Sequence, residues 1–180
     1  MTPEQRLCNL MFDEIALTPV LYYNRSIDQI IDFEKNTVKI ADHCLVFMIK
    51  GIKSKYKQPI CYQFCQSATK SHILKALIID IIRRLRECGL IIVATICDQG
   101  TSNVSAINSL IKDTKEKYLR HNKVYKSSVI EIDDTPLFHI YDPPHLLKGL
   151  RNNWINKNIR FIFNGEVMMA KWEHLKMLMR

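Results

Sequence analysis

The chain has 180 residues, of which 47% are hydrophobic and 24% are charged. This length supports one hydrophobic core and is short for two ordinary domains, so we expect one globular domain. Lys and Arg number 26 against 18 Asp and Glu, and the net charge of +8 favours a polyanionic partner. No apolar run reaches the roughly 18 residues of a membrane span, and no signal peptide opens the chain. These features predict a soluble, intracellular protein without a membrane partner.

The glycines and cysteines exclude two further classes of site. None of the five glycines has the spacing of a phosphate-binding loop. Five of the six cysteines lie in apolar segments, which indicates small buried residues rather than a disulfide framework. Cys61 and Cys65 are the close pair, but no second pair completes a set of four zinc ligands.

The first third of the chain predicts a strand meander. Residues 7–17 (LCNLMFDEIAL) form an apolar run that predicts a buried strand carrying Asp13. We predict a loop with a short helical piece over 18–39. Residues 43–52 and 59–66 predict two strands joined by a basic turn, and together with the first strand they would form an antiparallel meander.

A helix and a central strand follow. Apolar residues at helical spacing predict an amphipathic helix over 70–88, with Thr69 as its cap and Gly89 as its C-terminal stop. Residues 90–97 (LIIVATIC) are nearly all apolar and rich in β-branched side chains, which indicates a strand covered on both faces. A second helix is predicted from Ser102 to about Asp113.

The last third of the chain alternates polar and apolar segments. We predict a polar excursion over 115–134 and a fifth strand over 136–141. Residues 145–156 predict a helix, with Pro143 and Pro144 suited to its first turn. The segment 158–180 predicts a strand pair around Asn164 and Gly165, followed by the start of another helix.

Three acids fall on these strands: Asp13 on the first, Asp98 at the end of the fourth and Asp142 at the end of the fifth. If the strands are neighbours, the carboxylates converge at the carboxyl edge of the sheet, where α/β proteins keep their sites. Oxygen ligands of this kind suit Mg²⁺ or Mn²⁺, and two such ions could clamp an in-line phosphoryl transfer.

Each acid also has a structural interpretation. Asp142 precedes two prolines and suits a helix cap, and Asp98 precedes a helix and could serve a turn. Asp13 is the least easily explained, because an acid on a buried strand is costly unless it is paired or metal-bound. His145 and Lys148 could share a helix face beside Asp142 and contact phosphate or orient a carboxylate, although a solvated helix start explains them nearly as well.

Basic residues form two stretches that could bind nucleic acid or could be ordinary solvated surface. The first is a hairpin turn and the second surrounds Trp154. Their members are Lys50, Lys53, Lys55 and Lys57 in the turn, and Arg151, Lys157 and Arg160 in the later stretch.

The segments PEQRLCNLMFDEI, CDQGTSN and YDPPHLLKGLRNN, in this order, resemble the ribonuclease H-like catalytic domain of P element-type transposases and their THAP-domain relatives. The resemblance implies an α/β fold with a mixed sheet flanked by helices, and a nuclear location. It implies that Asp13 and Asp98 are the first two catalytic acids and ligands of Mg²⁺ or Mn²⁺. It also implies that the segment from Asp142 to Lys148 precedes a GTP-binding insertion.

The third acid of that family is a Glu on a helix beyond the insertion, and no residue of this chain matches it. We therefore expect residues 1–170 to be the N-terminal part of a ribonuclease H-like domain that is incomplete at its C-terminus, and 171–180 to begin the insertion. The intact protein would cleave and join DNA during transposition, using GTP as well as metal.

Two alternatives stay open. One is a non-catalytic DNA- or protein-binding module descended from a transposase, which the missing acid favours for the isolated chain. The other is a nuclease that uses Asp142 as its third acid. The oligomeric state is also open, with a homo-oligomer as one option.

Overall fold

The computed structural model describes residues 2–18, 22–26, 28–31, 40–125 and 129–178. The chain divides into two compact units, residues 1–140 and 141–180. In the described part of the chain, no helix is long and apolar enough to cross a membrane.

A six-stranded mixed sheet with helices forms the first unit. A 3-10 turn (Glu4–Arg6) precedes the first strand. The elements in chain order are β1 (Leu7–Ala16), β2 (Tyr22–Asn24), β3 (Gln29–Ile31), β4 (His43–Gly51), β5 (Lys57–Cys65), α1 (Ser71–Glu87), β6 (Ile91–Cys97), α2 (Thr101–Arg120), β7 (Val129–Ile132) and β8 (Thr135–Tyr141). The strand order is β5-β4-β1-β6-β8-β7, and β2 and β3 form a separate hairpin.

The predicted meander and central strand are confirmed. Strand β4 pairs antiparallel with both β1 and β5, whereas β1 pairs parallel with β6. A parallel pair needs a crossover, and α1 provides it between β5 and β6. Strand β5 is an edge strand; its Pro59 lies opposite Met48, next to a bulge between Phe47 and Met48.

The core lies between the sheet and α1. Alternate residues of β1 are buried, among them Leu10 and Phe12, whose ring centroid lies 5.4 Å from that of Phe47 on β4. Helix α1 buries a stripe at helical spacing and packs against β6 and α2. Its members are Leu74, Ile78, Ile81, Ile82 and Leu85. Gly89 ends this helix with φ +80, a left-handed conformation that glycine adopts without strain.

Three local predictions differ from the structure, or lie partly outside the residues that it describes. The cap of α1 is Lys70 rather than Thr69, and its side chain makes no capping hydrogen bond. In the segment 18–39, predicted as a loop with a short helical piece, the described residues form the β2–β3 hairpin and include no helix. Residues 19–21, 27 and 32–39 lie outside the described part of the chain.

The excursion predicted over 115–134 is instead the end of α2 and the strand β7. Thr114 is buried on α2, and its hydroxyl accepts a hydrogen bond of 3.0 Å from the Glu131 backbone N–H. Lys117 Nζ lies 2.5 Å from Glu131 Oε1. The charges that indicated a solvated loop are thus paired between neighbouring elements.

The second unit contains α3 (Pro143–Asn156), β9 (Ile159–Phe163), β10 (Glu166–Ala170) and α4 (Trp172–Leu178). This confirms the predicted helix and strand pair, which turns at Asn164 and Gly165. The rings of Trp154 and Trp172 pack edge to face at 5.7 Å, and Trp154 Nε1 donates to the Ala170 carbonyl at 3.3 Å. The described residues of these four elements include none that is buried.

Candidate functional site

Asp13 and Asp98 lie at matching heights on neighbouring strands. In the parallel ladder Met11 of β1 pairs with Ile96 of β6, and two residues further on the chains reach Asp13 and Asp98. Both residues line one cleft of about 320 Å³. The structure therefore brings together the two acids that the sequence placed at the carboxyl edge of the sheet, on adjacent strands as predicted.

Asp98 is held by the start of α2. Its Oδ1 accepts hydrogen bonds from the Gly100 backbone N–H at 2.9 Å and from Asn103 Nδ2 at 2.6 Å. Asn103 is buried, and a Cβ at position 100 would lie 3.1 Å from Asp98 Oδ1. The carboxylate thus braces the turn into α2, as its structural interpretation expected. Neither of these two bonds uses Oδ2.

Asp13 has a more open environment. The residue is exposed, and its Oδ1 accepts a hydrogen bond of 2.8 Å from the Glu14 backbone N–H. The expectation that Asp13 is buried was wrong, because it lies on the opposite face of β1 from Leu10 and Phe12, which face the core. No burial penalty therefore has to be offset by a metal or a partner.

The charges of both acids affect the pKa of a neighbouring thiol, that of Cys97. Burial, and to a smaller extent the negative charges of Asp98 and Asp13, raise the pKa of the Cys97 thiol to about 12. His139 of β8 lies beside this thiol, with Nε2 3.9 Å from Cys97 Sγ and Nδ1 2.9 Å from Thr95 Oγ1. Burial lowers the pKa of His139 to about 4, so the Cys97 thiol and the His139 imidazole both stay uncharged at neutral pH.

The rim of the cleft contains Glu14 and His43. Glu14 Oε1 accepts a hydrogen bond of 2.6 Å from the Thr69 backbone N–H, which ties the approach to α1 onto β1. His43 Nδ1 lies 2.8 Å from Asp42 Oδ1, an oxygen that also accepts a bond of 2.6 Å from the Ser67 N–H. The bonds from His43 and Ser67 lower the pKa of Asp42.

Two of these groups were missed by sequence reasoning. Asn103 follows Asp98 by five positions, a spacing that becomes a contact only because α2 begins at Thr101. His43 begins the strand predicted over 43–52, and that pattern does not mark it as a site residue. A polar residue in the first turn of a helix after a strand-end acid is the signal that would have identified Asn103.

Asp142, His145 and Lys148 belong to the second unit. Asp142 is the N-cap of α3, and its Oδ2 accepts from the His145 backbone N–H at 3.4 Å and lies 2.6 Å from His145 Nδ1. The capping interpretation of Asp142 is thus realised. Lys148 is exposed. Their roles toward phosphate or a carboxylate stay predictions.

Comparison with known proteins agrees with this fold. Residues 1–111 match the family described as TNP-like, RNase H N-terminal domain. The chain belongs to this family. It is also 26% identical over 166 residues to the transposable element P transposase of Drosophila melanogaster, covering 92% of this chain and 19% of that protein.

A solved structure shares the architecture. The Drosophila P element transposase strand transfer complex matches 98% of this chain with a TM-score of 0.66 and 23% identity. This match covers 35% of the solved chain, so the present sequence spans about a third of that structure and a fifth of the curated relative. The ribonuclease H-like mixed sheet predicted from the sequence is confirmed.

Proposed function

We propose that this chain is the N-terminal part of the ribonuclease H-like catalytic domain of a P element-type DNA transposase. In the intact nuclear protein, the domain would carry out metal-assisted cleavage and transfer of DNA strands. The observation that carries the proposal is the meeting of Asp13 and Asp98 in one cleft at the ends of two adjacent parallel strands. Family membership and the similarity to P element transposase support it.

The donor set fits a hard divalent cation. Asp13 and Asp98 offer carboxylate oxygens, and Asn103 and Gly100 fix the orientation of Asp98 through Oδ1 while Oδ2 is left for coordination. The cleft of about 320 Å³ leaves space for water and phosphate oxygens beside the ion. Mg²⁺ or Mn²⁺ held here would activate a water or hydroxyl nucleophile and neutralise charge on the phosphate.

Two carboxylates form only part of such a centre. Within the described residues, no group of three or more His, Cys, Asp or Glu side chains is placed to hold a metal ion. We therefore propose weak metal binding and no appreciable DNA cleavage by the 180 residues as they stand, and no effect of GTP on them. A non-catalytic DNA- or protein-binding module is the second candidate, favoured by this incomplete ligand set.

Calorimetry with Mn²⁺ tests the metal site. Asp13→Asn and Asp98→Asn should each weaken binding by tenfold or more, because each removes a charged oxygen ligand. Asp80→Asn is the matched control, since Asp80 pairs with Arg84 on α1 and does not line the cleft. Equal binding by all four proteins would show that the acids are structural.

Incubation of the same proteins with Mg²⁺ and labelled duplex DNA separates the remaining candidates. The proposal expects no cleavage by any of them. Cleavage by the wild type that disappears in Asp98→Asn would show an active nuclease and overturn the proposal that these 180 residues do not cleave DNA.

A further inference from the structure

The turn between β4 and β5 concentrates unopposed positive charge. Four lysines fall within residues 50–57, which comprise this turn and the adjoining strand ends, at positions 50, 53, 55 and 57, and all are exposed. The sequence contains no Asp or Glu from His43 to Ile79. We call these four residues the lysine turn. Its charge is therefore not balanced by acids on its own strands or on the first half of α1.

Several cations elsewhere in the first unit are paired. Lys75 Nζ lies 2.5 Å from Asp113 Oδ2, Arg83 Nε lies 2.7 Å from Asp133 Oδ2, and Lys117 contacts Glu131. By contrast, no ion pair among the described residues includes a member of the lysine turn. The positive charge of the lysine turn is thus left for an external anion.

The strand register places two of these lysines next to each other. Lys50 lies directly opposite Lys57 in the β4–β5 ladder. Like charges at directly opposed positions destabilise a sheet, and an anion that bridges the two ammonium groups removes the repulsion. A phosphate oxygen is an anion of suitable size and charge, and Lys is a common phosphate ligand in proteins.

The backbone of the turn is fixed. The Gly51 N–H donates to the Tyr56 carbonyl at 3.0 Å, and the Ile52 N–H donates to the Leu7 carbonyl at 3.0 Å. A Cβ at position 51 would lie 2.7 Å from the Tyr56 ring, so the ring and the backbone approach each other closely. The lysines thus extend from a defined scaffold, which lowers the entropy lost when they bind.

The lysine turn also shares a sheet face with the candidate acids. Asp13 pairs with Val46 and Asn9 pairs with Lys50, so Lys50 projects from the same face as Asp13. Four residues of β1 separate the two heights, which is about 14 Å at ~3.4 Å per residue. Phosphates on one DNA strand are spaced about 3.4 Å apart along the helix axis. A duplex aligned with β1 that has a phosphate at the acids therefore reaches the height of Lys50 about four nucleotides away.

We propose that the lysine turn binds the phosphate backbone of duplex DNA, at a distance from the acids and without reading its sequence. The identity of the polyanion as DNA rests on the proposed function. Contact by the turn does not require the metal site, because the two lie at different heights on the sheet.

Fluorescence anisotropy with a labelled duplex, in EDTA and over a salt series, tests this inference. The variant in which Lys50, Lys53, Lys55 and Lys57 are changed to Gln should bind more weakly. Each phosphate contact contributes about 0.9 to the slope of log K against log[salt], so we expect the slope to become shallower by about 2 to 4. Changing the four lysines to Arg keeps the charge and should leave the slope within about 0.5 of the wild type.

The matched control removes four charges from the surface of α2 and the turn that follows it. Its substitutions to Gln are at Lys112, Lys115, Arg120 and Lys123, which are also exposed. We expect a slope within about 1 of the wild type for this control. A loss equal to that of the lysine-turn variant would show a general effect of net charge and overturn the inference, as would an unchanged slope in the lysine-turn variant.

The outcome is separable from that of the proposed function. The duplex titration is made in EDTA and contains no metal, so its result does not depend on Asp13 or Asp98 as metal ligands. Failure of Mn²⁺ binding with an intact lysine-turn effect would reject the metal site and keep the DNA contact. The reverse pattern would reject the contact alone.

Discussion

Replacement of Asn103 by Ala tests whether α2 holds the Asp98 carboxylate in place. The substitution removes a buried amide that donates to Asp98 Oδ1 at 2.6 Å. A hydrogen bond to a charged group contributes about 1.5–3 kcal/mol, and Ala in a helix recovers up to about 0.7 kcal/mol of propensity. The net loss in the free energy of unfolding should therefore be about 1–2 kcal/mol, equivalent to a fall in Tm of about 2–8 °C for a chain of this size.

Thermal and urea unfolding measure this loss, and Asn108→Ala is the matched control. Asn108 lies on the same helix but is exposed, so its replacement should be neutral or slightly stabilising. Metal titration adds a second readout, because loss of a residue that orients a ligand typically weakens metal binding about 10- to 100-fold. If Asn103→Ala matches Asn108→Ala in both stability and Mn²⁺ affinity, the amide does not position the carboxylate.

Two further predictions concern pH and backbone entropy. The pKa of His139 falls from its usual 6.5 to about 4 on burial, so the unfolded chain binds a proton that the folded chain excludes between these values. Stability should therefore decrease as the pH falls from about 6.5 to about 4. Urea unfolding at several pH values should show a smaller decrease for His139→Asn than for the exposed control His121→Asn. Equal decreases would contradict the lowered pKa of His139. Gly149 lies inside α3 with no atom near the position of a Cβ, so Gly149→Ala should slow amide exchange in that helix, corresponding to about 0.5–1 kcal/mol. Unchanged or faster exchange would contradict the expected gain in helix stability.

The strands of the meander could be predicted from the sequence because their signal is local. Apolar runs and a basic turn locate β1, β4 and β5 to within a few residues, and the alternating burial of β1 follows the strand period. The second half of α2 and β7 could not be predicted in this way. Their charges are neutralised by partners on other elements, such as Lys117 with Glu131, and the spacing of charges along the chain does not reveal such pairs.

In the candidate site, too, some features could be predicted from the sequence and others could not. Asp13 and Asp98 could be predicted because Asp13 lies within an apolar strand and Asp98 directly follows one, each in a recognisable motif. The residues packed around them could not be predicted, since their positions depend on how the strands are packed. His139 is uncharged because β8 places it beside Thr95 and Cys97, and nothing in its own segment indicates burial.

The open edge of the sheet at β5 has a consequence for self-association. An exposed edge strand presents unpaired N–H and C=O groups to which another extended chain can add, and repeated addition leads to fibrils. Pro59 has no N–H to donate, the adjacent bulge interrupts the flat ladder, and Lys57 places a charge on the same strand. A second copy of β5 aligned against the first would lose a hydrogen bond and oppose like charges. The features that shape this edge therefore also protect a concentrated solution of the chain against cross-β aggregation.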